Sequence, residues 1–329
     1  MDFSFSDDQI QIADSIGGML ADEAAYDRLF PHDFDEAVDS ARLLALSAEM
    51  GLIGFGAPEA VGGSAAALDD ELLVQREAGR YILPLAVPAG AAAATLCAAG
   101  GLDDMARSIV AGGTEVGLVV SAQADGTMTV AARGAWALAL NGETLALHAV
   151  PADAQPRRAL DPGAPLRLIS AETAPVVTSS DPALAARFQL LLGAYRLGLA
   201  EAALQQSSGY AKEREQFGKP IGSFQAVRHR CVDMALRCEG AKAALFFAAI
   251  CLRDGLSGWA LQTWGSAWMA DMAAVENARV NIANHGAIGV TCENIGHLLL
   301  KRALLCRQVD GSRAAIAHRI AAAASPLIA

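Results

Sequence analysis

The chain has 329 residues, 53% of them hydrophobic, 5% aromatic and 19% charged, with a formal charge of −11. About 25% of residues are charged in an average soluble domain, so this surface is poor in charge, and the apolar content excludes a disordered chain. The acidic balance excludes a chain-wide basic footprint for nucleic acid, and the length predicts a large core divided over two or three domains.

The N-terminus carries Asp2, Asp7 and Asp8 without a basic stretch, so it does not read as a signal peptide. Ser6 followed by Gln9 has the form of a capping box, and Phe5 with Ile10 that of a hydrophobic staple. A helix is therefore predicted to start near Asp7. Further helical stretches cover Glu36 to Met50 and Leu68 to Ala78, punctuated by Gly51, Pro58, Gly62 and Gly63. The uncharged stretch Ile82 to Leu102 contains Pro84, Pro88 and three glycines, a poor composition for a membrane span.

From about Thr114 the period changes. Short strand-like runs flank Asp125-Gly126 and Asn141-Gly142, the strongest short-range hairpin signals. A small antiparallel β module is predicted over 114–180, ended by Pro151, Pro156, Pro162 and Pro165. Helix returns from Pro182: Leu184 to Lys212, a second helix capped by Ser223 and running to Arg253, a third over Gly258 to Asn284, and shorter ones after Thr291 and Ser312. Three long helices with short links predict an antiparallel bundle. The expected fold is mainly α, in the order 1–113 helical, 114–180 β, 181–329 helical bundle, with Trp259, Trp264 and Trp268 in the bundle core.

Six cysteines without a CxxC pair read as buried thiols in a reducing compartment, and a cytoplasmic protein is expected. No GxGxxG after a strand, Walker loop, GxSxG or HExxH occurs, and no metal site is expected. His229, His285, His297 and His318 share no metal-ligand spacing. The run from Tyr210 to Gln225 is different, because a helix end with Lys212 and Arg214 meets a Gly-Pro loop beside Phe217. Such a loop can hold a phosphate through Arg and pack a flat ring on Phe. Residue chemistry alone favours a helix connector with solvated charges.

This run resembles the signature of the acyl-CoA dehydrogenases, an FAD-dependent family of α-β-α order. Met50-Gly51-Leu52-Ile53-Gly54, Ala57-Pro58-Glu59 and Gly62-Gly63 resemble the family's N-terminal pattern. Asn284 to Thr291 resembles its "HGGIGFT" segment, and His297 to Ala303 its "HLYLRRA" run. The resemblance implies that Arg214, Gln216 and Phe217, with Ile221 and Gln225, face FAD. It implies that Gly286 and Gly289 let backbone approach the FAD of a neighbouring subunit, and it adds Ser312 to the cofactor-binding set. The family's chemistry removes an α-proton with a carboxylate while the flavin takes a β-hydride from an acyl-CoA thioester.

Several positions depart from the family. The usual Glu base falls on Asp310, followed by Gly311 and Ser312; Asp310 is either that base or a loop Asp ahead of the last helix. A second branch carries its base near Arg187 to Gln189, where no acid lies between Asp181 and Glu201. Glu293 reads as a structural or capping acid. The "TEP…GSD" stretch is replaced by Ser121 to Gly126, and Ala283 stands where many members have Gln. These departures resemble the shortened subunits of two-plus-two heterotetrameric acyl-CoA dehydrogenases of steroid side-chain breakdown. They imply a paralogous partner that supplies the base, and an electron-transfer acceptor. A non-catalytic scaffold subunit and a self-sufficient homo-oligomer using Asp310 are the alternatives.

Overall fold

Helix α1 (Asp7–Glu23) opens the computed structural model, which describes residues 5–24, 40–123, 125–170, 174–309 and 313–328. Its capping box forms: the Gln9 backbone N–H donates to Ser6 Oγ at 3.2 Å, and the Ser6 N–H donates to Gln9 Oε1 at 3.1 Å. The staple takes another partner. Phe5 packs edge-on against Phe246, with centroids 4.7 Å apart, and Ile10 is exposed. A ring on a neighbouring helix offers more apolar contact than Ile10 on the next turn.

Among the described residues, helices α2 (Ser40–Glu49), α3 (Leu68–Arg80), α4 (Ala86–Ala99) and α5 (Asp103–Val110) follow in the first region. Helix α4 occupies most of the uncharged stretch. It is apolar and buried on nearly every side, as a core helix must be. Pro88 sits in its first turn, where the missing N–H has no helical acceptor. Among the described residues no helix is long and apolar enough to cross a membrane.

Seven strands follow: β1 (Val116–Ala122), β2 (Thr127–Ala131), β3 (Trp136–Asn141), β4 (Thr144–Ala149), β5 (Gln155–Arg157), β6 (Leu166–Ser170) and β7 (Val177–Ser179). They form one sheet in the order β5-β6-β2-β1-β3-β4-β7. Both expected hairpins are present, with Ala122 opposite Met128 and Asn141 opposite Thr144. The sheet is mixed rather than purely antiparallel, because β3 runs parallel to β1 with Val116 opposite Trp136. The short link after β2 passes the start of β1 and delivers β3 to the other side. Arg167 holds that link, donating to the carbonyls of Ala132 (3.0 Å) and Gly134.

The last region begins with α6 (Pro182–Glu213), capped by Asp181, whose Oδ1 accepts the Ala183 N–H at 2.9 Å. A two-strand ribbon, β8 (Glu215–Gln216) and β9 (Lys219–Pro220), leads through a 3₁₀ turn (Ile221–Ser223) into α7 (Gln225–Arg253). Ser223 does not cap α7: it ends the 3₁₀ turn, and Phe224 occupies the cap position without a side-chain bond. Then come α8 (Trp259–His285), a 3₁₀ turn (Gly286–Val290), α9 (Gly296–Val309) and α10 (Arg313–Ile328). Helices α6, α7 and α8 pack on one another, and α3 lies across α6. At that crossing Gly79 faces the Tyr195 carbonyl and Gly198 the Arg76 carbonyl, so closely that a Cβ on either would overlap backbone.

One buried side chain ties the three regions together. Arg302 of α9, 1% exposed, donates from Nε to Asp161 Oδ2 (2.5 Å) and from Nη1 to Tyr195 Oη (2.5 Å) and the Leu83 carbonyl (2.8 Å). Trp264 is buried, whereas Trp259 and Trp268 are half-buried. All six cysteines are free: Cys97, Cys238, Cys251 and Cys306 are buried as expected, Cys231 is half-buried and Cys292 is exposed. Burial pushes the Cys97 thiol up to about 11 and Cys238 to about 12, so both stay protonated and are poor nucleophiles near neutrality.

Candidate functional site

The end of α6, the start of α7 and the end of α8 meet at one end of the bundle. Tyr210 stacks on His285 with centroids 4.2 Å apart. Asn284 Nδ2 donates to Ser207 Oγ at 2.7 Å, and Arg230 donates to Asn284 Oδ1 at 3.4 Å. His285 Nδ1 lies 2.8 Å from the Asn281 carbonyl, a contact that requires the proton on that nitrogen.

The β8–β9 ribbon projects from this end. Phe217 and Gly218 form its two-residue turn, with φ of +53° and +77°, the pairing of signs found in type I′ hairpins. A non-glycine residue in this region costs on the order of 1–2 kcal/mol, yet Phe217 sits there with its ring 90% exposed. Arg214 clamps the ribbon's base: its N–H donates to the Tyr210 carbonyl and its own carbonyl accepts the Ile221 N–H, both at 2.8 Å. The side chains of Arg214, Gln216 and Gln225 are exposed and Ile221 is half-buried. Gln216 Nε2 donates to the neighbouring Glu215 carbonyl at 2.8 Å.

The two candidate glycines lie in the 3₁₀ turn at the same end. Gly286 has φ +65° and ψ −136°, a conformation that only glycine adopts without strain, and a Cβ there would meet open space. At Gly289 the close approach comes from within the chain, since a Cβ would overlap the Ile282 carbonyl oxygen. Gly289 is thus required by its own helix end, whatever else approaches it from outside. Ala283 and Glu293 are exposed. Asp310, Gly311 and Ser312 lie outside the described residues.

A separate cleft of about 690 Å³ opens between the sheet and the C-terminal helices. Val119, Met128, Ala139 and Ala146 give it apolar walls, and Ser121, Thr178 and His148 add polar groups. Gln308 and Val309 also line it. No carboxylate occurs among its described lining residues, and Arg319 of α10 supplies its one cation there. Sequence reasoning missed Arg319 and His148. A single Arg in an Ala-rich helix and a single His in a strand carry no signal until the fold brings them together.

Where the sequence lacks an acid, near residues 187–189, the structure brings one from another helix. Glu71 of α3 forms a buried ion pair with Arg187, which also donates to the Gly56 carbonyl at 3.1 Å. Desolvation raises the Glu71 pKa from its ordinary 4.5, and Arg187 holds the rise back. Among the described residues no group of His, Cys, Asp and Glu could hold a metal.

Comparison with known proteins places this architecture. The family described as acyl-CoA dehydrogenase, C-terminal domain, matches residues 186–325. The acyl-CoA dehydrogenase IpdE2 of Mycobacterium tuberculosis is 32% identical over 271 residues, covering 82% of each chain. The fold is shared with the ChsE4-ChsE5 complex from Mycobacterium tuberculosis, at TM-score 0.82 and 20% identity over 99% of both chains. It is shared also with the steroid acyl-CoA dehydrogenase Tcur3481-Tcur3483, at TM-score 0.80 and 21% identity over 98% of both. With such identity across most of its length and the same α-β-α architecture, the chain belongs to the acyl-CoA dehydrogenase family of flavoprotein oxidoreductases.

Proposed function

We propose that this chain is a subunit of an FAD-dependent acyl-CoA dehydrogenase. In this reading it forms the α,β-unsaturated thioester of a bulky, steroid-type acyl-CoA, and a paralogous partner subunit provides the base. One observation carries the division of labour: the cleft beside the sheet has no carboxylate among its described lining residues. A positioned carboxylate is what α-proton removal needs, so it has to come from outside that lining. The names of two fold neighbours, a two-protein complex and a steroid acyl-CoA dehydrogenase, support the assembly and the substrate class by analogy.

The residues at the bundle end fit FAD. Arg214 offers exposed donors, Phe217 an exposed ring on a strained turn, and Gly286 an open approach. Arg214 and Gln216 would hold the pyrophosphate, with Phe217, Ile221 and Gln225 against the adenine side and Ser312 near the cofactor. When bound, FAD supplies the hydride acceptor. This chain's own part is to bind, to orient and to exclude water, since the apolar cleft walls keep the thioester dry. The reduced enzyme passes its electrons to a transfer protein, and the complex is cytoplasmic.

A second reading has one observation in its favour. Gln308 and Val309 line the cleft and Asp310 follows them, which makes Asp310 the candidate base of a self-sufficient homo-oligomer. Expressing the chain alone and together with a paralogous dehydrogenase subunit, and recording mass, flavin absorbance and turnover, separates the two. A colourless solo chain that becomes a yellow, active two-plus-two complex, with Asp310→Asn leaving its activity intact, is the expected result. A yellow, active homo-oligomer that Asp310→Asn inactivates would overturn the partner's role. An assembled complex that carries no flavin would reduce the chain to a scaffold.

A further inference from the structure

We infer that Arg319 makes the cleft selective for acyl thioesters whose acyl body carries a carboxylate remote from the thioester. The inference rests on the proposed dehydrogenase reading and names the substrate class of that same cleft. Arg319 lines both the cleft of about 690 Å³ and an adjoining hollow of about 310 Å³ formed by α8, α10 and the β3–β4 turn. Its guanidinium lies 4.6 Å above the Trp264 ring. A cation–π contact of this kind holds the guanidinium in place without using its N–H groups on an oxygen acceptor.

Nη1 of Arg319 is buried and has no hydrogen-bond partner among the described residues. A charged donor removed from water without an acceptor is costly, and a carboxylate is the acceptor that its fork matches in two parallel bonds. Glu143 lines the hollow from the β3–β4 turn and is exposed, and it does not supply the acceptor that Nη1 of Arg319 lacks. The surroundings decide which anion is recognised. Valine, methionine, leucine and alanine side chains dominate the cleft walls, which suits an apolar acyl body ending in a carboxylate and does not suit a hydrated diphosphate.

The test uses the flavin-loaded enzyme in its active assembly and two thioesters matched in bulk, 3-cyclohexylpropanoyl-CoA and 3-(4-carboxycyclohexyl)propanoyl-CoA. Binding by titration calorimetry and turnover are both measured. The wild type is expected to prefer the carboxylated thioester. Arg319→Met, which keeps the apolar contact with Trp264, is expected to weaken its Kd and raise its KM by about 10- to 100-fold. The uncarboxylated thioester should stay within about twofold, and Arg319→Lys should recover part of the loss as a point charge without the fork. Equal weakening of both thioesters would place the recognised anion on the CoA portion and overturn the inference, as would no change for either. If the wild type binds and oxidises neither thioester, the dehydrogenase reading of the cleft fails first and takes the inference with it.

Discussion

Phe217 is the residue whose state departs furthest from what apolar side chains prefer. Its ring is in water and its backbone is left-handed, at a turn position where Asn or Gly would be relaxed. The Arg214 side chain is exposed, and among the described residues its hydrogen bonds to the fold come from its backbone. Replacing it should therefore affect a bound ligand and leave the bundle intact. Arg214→Ala is expected to lose about 1.5–3 kcal/mol of flavin binding, the value of a charge-assisted hydrogen bond. The check is flavin occupancy of the purified mutant assembly beside its thermal midpoint; unchanged occupancy would refute the assignment of Arg214 to the pyrophosphate.

Among the elements, the α3–α6 pair carries an unusual load of buried charge. Glu71 and Glu77 of α3 are both buried, and desolvation raises the pKa of each against the pull of Arg187, and of Arg80 and Arg76, respectively. The sign follows from proton linkage. Below the ordinary value of 4.5 the carboxyl is protonated in both states. Above it the unfolded chain gives up a proton that the folded chain still holds, so stability falls as pH rises until the raised pKa is passed. Each such group contributes a slope of up to about 1.4 kcal/mol per pH unit within that window. Glu71→Gln should flatten the decline without abolishing it, because Glu77 titrates in the same direction. Urea midpoints across that acidic window measure this, and an unaltered slope would show that Glu71 is charged in both states.

For the whole molecule, the decisive contact is the one around Arg302. It joins the turn after α3, the irregular segment at Asp161 and the middle of α6, all out of contact with water. Removing one partner of a buried ion pair leaves the other charge uncompensated, at a cost of about 3–5 kcal/mol. Asp161→Ala is expected to cost that much, read as a lower denaturant midpoint. A loss within about 0.5 kcal/mol, the range of ordinary surface substitutions, would mean that Arg302 finds enough acceptors in the carbonyls alone. At the same scale, the cleft with no carboxylate among its described lining residues and the bundle end with an exposed ring are two incomplete surfaces. Assembly with a partner is what the proposed reading asks to complete them.

Much of this was legible in the sequence, because it depends on neighbours along the chain. Ser6 with Gln9 marked the first helix, Asp125-Gly126 and Asn141-Gly142 marked the two hairpins, and the return of long apolar periodicity at Pro182 marked the bundle. The run from Arg214 to Gln225 stood out because turn chemistry and a signature coincide within a few residues. Contacts between distant segments decided the rest. The capture of Phe5 by Phe246, the parallel pairing of β3 with β1, the pairing of Glu71 with Arg187, the internal need for Gly289 and the meeting of Arg319 with the sheet's cleft each join groups whose chemistry is unremarked along the chain. Local capping and turn preferences act over three or four residues and can be read directly, whereas burial and close approach exist only once separate segments have excluded water between them.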